Sequence, residues 1–174
     1  MSTLLKIPVS KTDHSEGPDK APLILVKYGD YECPYCGQAF PIVKRIQKFF
    51  KGDLKFVFRN FPLTTAHPNA MAAAAAAEAA GLQGKFWEMH DLLFAHQKHL
   101  ERADLEAYAT QLGLDKAAFV AALDSPELDA RLAADAAQAD SLQIAGTPTF
   151  FVNGKRITGA QPIEAFRAAI ASAR

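Results

Sequence analysis

The segment from Leu23 to Phe61 constrains this chain most. Leu23 to Tyr28 is a short apolar run without polar alternation, the pattern of a strand buried on both faces of a sheet. After a turn at Gly29-Asp30, Cys36, Phe40, Val43, Ile46 and Phe50 recur three or four apart. That spacing predicts an amphipathic helix from Pro34 to about Phe50, with proline at its first position. Gly52-Asp53 ends it, and Lys55 to Phe61, carrying Phe56, Val57, Phe58 and Phe61, predicts a second strand. A strand, a helix and a strand in this order pair in parallel through a right-handed crossover, so the fold class is α/β.

The rest of the 174 residues arranges around that unit. Residues 1–20 are polar and broken by Pro8, Gly17 and Pro18, and read as an arm with a short strand at Leu4 to Val9. From His67 to Ile144 the composition is dominated by Ala, Leu, Glu and Gln, punctuated by Gly81, Gly84, Gly113 and Ser125-Pro126, which predicts four or five helices. The near poly-alanine stretch from Met71 to Ala80 suits close contact between helices. Strands return at Thr149 to Val152 and Arg156 to Thr158 around an Asn153-Gly154 turn, and a last helix runs from Pro162 to Ala173. The expected organisation is an arm (1–20), one α/β domain made of 21–66 and 145–174, and an all-helical insertion (67–144).

Charge and composition remove several classes of function. Nineteen basic and nineteen acidic residues cancel, with no block of Lys and Arg to neutralise a run of phosphates, so a nucleic-acid partner is not expected. The apolar run Leu23 to Val26 is far too short to span a bilayer, and no export signal is visible, so no membrane partner is expected. With Met1 as the natural start the expectation is a cytoplasmic protein; a signal peptide already removed would make it periplasmic. No Gly-rich phosphate loop or dinucleotide fingerprint is present.

The chemistry concentrates at Cys33-Pro34-Tyr35-Cys36, the only cysteines in the chain. A C-x-x-C opening a helix after a buried strand is a redox candidate. Cys33 falls at the N-cap, where unpaired N–H groups and the positive end of the helix dipole favour a thiolate, so it is the expected nucleophile. Cys36, one turn along the same face, is the expected resolving thiol. Pro34 and Tyr35 add no group ionised at neutral pH, and nearby Asp30 and Glu32 oppose a negative charge on Cys33. The same pair is half of a zinc or iron–sulfur site, but no second cysteine pair exists, so no metal is assigned.

Other features have quieter readings. Pro41 predicts a kink or a restart early in the first helix. In Gly146-Thr147-Pro148-Thr149 a proline at a strand entrance suits a cis bond, although an isolated X-Pro bond is more often trans. A cis bond facing Cys33 would leave the Thr147 backbone free to pair with an extended peptide. His96 and His99, one helical turn apart, read as a solvated helix end, and His67 before Pro68 as a loop residue near the active face. His14 and His90 carry no specific signal. Phe86, Trp87, Leu93 and Phe94 read as core of the insertion, with Trp87 able to border a substrate groove.

Taken together, these features resemble the thioredoxin superfamily, and more closely its DsbA-like thiol-disulfide oxidoreductases. Four segments occur in the family's order: Asp30 to Cys36; Phe58 to Leu63 with His67-Pro68; Gly84 to His90; and Gly146 to Phe150 with Asn153-Gly154. The resemblance implies a thioredoxin fold, a central mixed sheet flanked by helices, with an all-helical insertion. It also implies Cys33 as the exposed nucleophile, Cys36 as its partner, Pro148 as the cis-proline facing them and Thr147 as a substrate-contacting residue. Lys27 departs from the pattern, standing where thioredoxins and many DsbA-like proteins hold an Asp or Glu that manages the proton of the buried thiol. Its ammonium either lies under the active-site helix or is carried out to water on its flexible stem.

The expected function is thiol-disulfide exchange with protein disulfide or dithiol substrates. It needs no cofactor beyond the cysteine pair, with Pro34, Tyr35 and Lys27 tuning the centre. Glutathione or a thioredoxin system is the expected recycling partner. Two alternatives remain open at this point. One is a glutathione-linked glutaredoxin-like reductase, since glutaredoxins also carry Cys-Pro-Tyr-Cys, although the large helical block speaks against that compact form. The other is a non-catalytic metal- or peptide-binding module on a thioredoxin frame.

Overall fold

The computed structural model describes residues 4–5 and 8–173. It has a five-stranded mixed sheet and seven helices. The strands are β1 (His14–Glu16), β2 (Leu23–Gly29), β3 (Leu54–Asn60), β4 (Thr149–Val152) and β5 (Lys155–Thr158), in the spatial order β1-β3-β2-β4-β5. β2 and β3 pair in parallel, Val26 opposite Val57, and helix α1 (Pro34–Phe49) makes the crossover. The other three pairings are antiparallel: β1 with β3, β2 with β4, and β4 with β5.

The apolar runs without alternation are explained by burial on both faces. Leu25, Phe56, Phe58 and Phe150 point into the larger core, with α1 and the helical block. Their neighbours Val26, Val57 and Phe151 point into a smaller one closed by Ala139, Leu142 and Ile144. Each such side chain taken from water contributes about 1.5–3 kcal/mol, which fixes the register of the central strands. Among the described residues no helix is long and apolar enough to cross a membrane.

The helical block consists of α2 (Ala70–Gly81), α3 (Phe86–Ala95), α4 (Arg102–Gln111), α5 (Lys116–Leu123) and α6 (Pro126–Ser141), and α7 (Ile163–Ala173) closes the chain. Alanines 73–77, 79 and 80 of α2 are all buried, consistent with close packing between helices. Phe86 and Phe94 do not form a separate insertion core: they share one apolar cluster with strand residues Phe56 and Phe58, and Trp87 packs on Phe56. Asn153 and Gly154 both take positive φ, as a tight turn between β4 and β5 requires.

Three local expectations need correction. Of the strand expected at Leu4 to Val9, Lys6 and Ile7 lie outside the described residues, and Leu4 forms an isolated bridge to Lys155. The edge strand is instead β1. His14–Glu16 escaped the pattern because three half-buried residues show no periodicity; β1 is held in place by pairing with Phe56 to Phe58. Pro41 does not divide the first helix, which runs unbroken from Pro34 to Phe49.

Candidate functional site

The end of β2, the start of α1 and the loop before β4 converge. Cys33 is the N-cap of α1, in extended conformation with Pro34 following as the first helical residue. The Thr147–Pro148 peptide is cis, and the Cys33 thiol donates to the Thr147 carbonyl at 3.4 Å. Both cysteines are free thiols. The exposed nucleophile implied by the resemblance is in fact covered: Cys33 is 3% exposed, with its sulfur turned against the Thr147 carbonyl, while Tyr35 beside it is 61% exposed.

The two thiols are driven apart electrostatically. A hydrogen bond from Cys36 is the largest influence on Cys33. With the Thr147 side chain and the backbone N–H groups of Cys36 and Tyr35 adding to it, it outweighs burial and brings the Cys33 thiol down to about 5. The Thr147 hydroxyl is itself buried and makes no hydrogen bond in the structure. Cys36 moves the opposite way, raised by burial and by the neighbouring Cys33, with Lys27 and the Asp30 backbone N–H pulling against the shift.

The two acids beside Cys33 are each held by other groups. The Asp30 carboxylate accepts from Glu32 N at 2.8 Å, from Leu63 N at 2.9 Å and from His67 Nδ1 at 2.7 Å. Glu32 accepts from Asn69 N at 2.6 Å. Lys27 lies under the active-site helix and is not carried out to water. It is 1% exposed, its ammonium donates to the Cys36 carbonyl at 3.5 Å and sits 4.3 Å from the centre of the Phe94 ring. Burial lowers its pKa, against the pull of Cys36 and Cys33.

Two supporting groups escaped the sequence reading. Gln97, in the turn after α3, donates to the carbonyls of Tyr31 and Cys33, both at 2.8 Å. It passes so close to Gly37 that a Cβ there would lie 2.0 Å from its amide oxygen. That glycine directly after Cys36 was the one available signal, and it did not name its partner. His90, without a specific signal in the sequence, is buried among the rings of Tyr31, Phe58 and Phe94, where burial lowers its pKa to about 4. His96 and His99 do not share a helix: His96 caps the end of α3 and stacks on Tyr108, and His99 lies in the turn beyond. Among the described residues no three His, Cys, Asp or Glu side chains group to hold a metal.

This arrangement can be set beside known proteins. The sequence profile of the thioredoxin family matches residues 9–172. The chain superimposes on BdbD from Bacillus subtilis with a TM-score of 0.87 and 26% identity, covering 99% of this chain and 98% of that one. A thioredoxin-like oxidoreductase from Silicibacter pomeroyi gives a TM-score of 0.85 and 27% identity, with 95% and 94% covered. The thiol-disulfide exchange protein alpha-DsbA2 from Wolbachia pipientis, at 18% identity and a TM-score of 0.84, shares the fold over 94% of this chain and 88% of its own. Among curated sequences, Na(+)/H(+) antiporter NhaA 1 of Salinispora arenicola is 51% identical over 170 residues, covering 97% of this chain but 26% of that protein. The chain thus spans about a quarter of the length of the curated relatives it matches, and the antiporter name applies to those whole proteins.

Proposed function

Because the chain belongs to the thioredoxin family, as a DsbA-like member of the superfamily, we propose that it exchanges disulfides with protein substrates through Cys33 and Cys36. The observation that carries this reading is the geometry of the pair, Cys33 at the N-cap of α1 against the Thr147 carbonyl and Cys36 buried one turn on, which tunes the two thiols in opposite directions.

In the oxidised protein a substrate thiolate attacks Cys33 Sγ. The Cys33–Cys36 bond breaks, its electron pair leaves on Cys36, and a mixed disulfide joins Cys33 to the substrate. A second substrate thiolate then attacks the substrate sulfur, and Cys33 departs as a stabilised thiolate. Good leaving-group character at Cys33 supports net donation of the disulfide. The reverse sequence reduces a substrate, with Cys36 as the resolving nucleophile. Thr147, beside the cis-proline, offers its backbone to an extended substrate, and Pro34 and Tyr35 shape the exposed rim. Lys27 is the proton carrier for Cys36: as a neutral amine it accepts the Cys36 proton before attack, and as an ammonium it stabilises the departing thiolate. The cysteine pair is the whole redox apparatus: after donation a disulfide oxidant such as glutathione disulfide restores it, and after the reverse reaction a thiol reductant such as glutathione or a thioredoxin does.

The test uses a reduced dithiol peptide and the oxidised protein. Transfer of the disulfide, its loss in Cys33→Ser, and accumulation of a Cys33 mixed disulfide when reduced Cys36→Ser is given the disulfide form of the peptide are the expected results. Absence of both transfer and mixed disulfide rejects the reading.

A further inference from the structure

One ionisable group at the site has no part in the exchange steps above. His67 lies in the segment between β3 and α2, held by a bond from its own N–H to the Leu63 carbonyl at 2.9 Å. Its Nδ1 meets the Asp30 carboxylate at 2.7 Å; the Asp30 side chain is fully buried, while the imidazole is 19% exposed and open to solvent protons. Asp30 in turn touches both cysteines through its backbone. Its N–H donates to Cys36 Sγ at 3.5 Å, and its carbonyl accepts from Cys33 N at 3.3 Å. A single residue therefore joins the thiol pair to a half-buried imidazole.

We propose that His67 is a positioning residue that couples the redox state of the cysteine pair to proton uptake, its imidazolium being held by Asp30 and favoured by the Cys33 thiolate of the reduced protein. The inference rests on thiol-disulfide exchange as the function of the site. The charged groups facing His67 are Asp30, Glu32 and Cys33, and its own segment from Phe61 to Pro68 holds no other titratable side chain. Burial disfavours the imidazolium, but the bond and charge of Asp30, then the charges of Cys33 and Glu32, outweigh it and raise the His67 pKa.

The balance with a glutathione reductant makes the coupling explicit. Two glutathione thiols reduce the Cys33–Cys36 disulfide to a Cys33 thiolate and a Cys36 thiol, giving glutathione disulfide and one proton. When the disulfide forms, the Cys33 charge vanishes while Asp30 and Glu32 stay, so His67 binds its proton less tightly in the oxidised state. Between its two titration points His67 captures part of the proton released on reduction. Reduction then releases less than one proton, so falling pH opposes it less steeply than the cysteines alone would make it.

The test compares the His67 ring by NMR titration in the reduced protein and in protein oxidised chemically at Cys33–Cys36. Proton affinity is expected to be about three- to fivefold higher in the reduced form, the size of a screened charge–charge contact near a protein surface. His67→Gln, which keeps a donor for Asp30, should steepen the pH dependence of the glutathione equilibrium to that of the cysteines alone and raise the Cys33 titration point. An imidazole that titrates at the same pH in both redox states overturns the proposal, as does a His67→Gln protein with an unaltered pH dependence. The NMR comparison needs no substrate, so loss of exchange with a dithiol peptide and loss of His67 coupling are separate results. It uses the unsubstituted chain, so it decides the matter even where the variant fails to fold.

Discussion

Thr147→Val isolates one contact at the redox centre. Valine matches threonine in shape and leaves the Thr147 backbone free to keep its bond with Cys33, while the hydroxyl, buried without a partner and able to turn to the Cys33 thiolate whose pKa it lowers, is lost. A hydrogen bond to a charged group is worth about 1.5–3 kcal/mol, and one pKa unit corresponds to about 1.36 kcal/mol, so Cys33 should titrate about one to two units higher. Starting from about 5, that brings it to roughly 6–7. The assay is thiolate absorbance, or alkylation rate, of the reduced protein against pH. The same change makes Cys33 a poorer leaving group, so disulfide donation near neutral pH should slow. A Cys33 titration that does not move would show that Cys36 and the helix N-terminus hold the thiolate without the Thr147 hydroxyl.

Three further outcomes follow from the same geometry. A thiol titrating near 5 in the fold and near 9.0 when free contributes stability that is fully present above the unfolded value and lost as pH falls through 5. At pH 7 this is roughly 3 kcal/mol in favour of the reduced protein, so the reduced form's advantage in denaturation should grow from pH 5 to 9, whereas a flat difference contradicts the shift. Lys27→Met removes a buried amine from an aromatic environment; it should raise thermal stability yet slow release from the Cys33 mixed disulfide and change its pH profile, leaving first attack at Cys33 little affected in stopped-flow measurements. Burial raises Asp135 to about 6, so the fold favours its protonated form and the associated stability is lost as pH rises from about 4 to 6. Asp135→Asn keeps an acceptor for Asn60 N and should gain about 1–2 kcal/mol above pH 7 and nothing below pH 4, as urea titrations would show.

Periodicity and punctuation made the frame legible. Leu23 to Tyr28, the Cys36–Phe50 stripe and the Asn153-Gly154 turn each carry a local pattern with one structural solution, and the structure places elements on all three. What the sequence hid depends on distant partners. Lys27 could be read as a chain end reaching water, because its burial is decided by Phe94 and Phe150 from remote segments. That Asp30 and Glu32 are held in hydrogen bonds could not be read locally, because the groups that engage them, Leu63, His67 and Asn69, lie some thirty residues on. Gln97 had no local pattern at all.

The position of β4 has a consequence for how the molecule is made. Val26 pairs with Val57 early in the chain, but its other neighbour, Phe151, is synthesised only after five further helices, α2 to α6, have emerged. Closing the longer loop costs little at equilibrium, since each doubling of length adds about 0.6 kcal/mol. The effect lies in time. A nascent chain on the ribosome holds β2 with one flank hydrogen-bonded and the other bare until Thr149–Val152 arrives, and a bare strand of this composition invites pairing with another copy. Truncations that stop before Thr149 should therefore aggregate in a way that the whole chain does not.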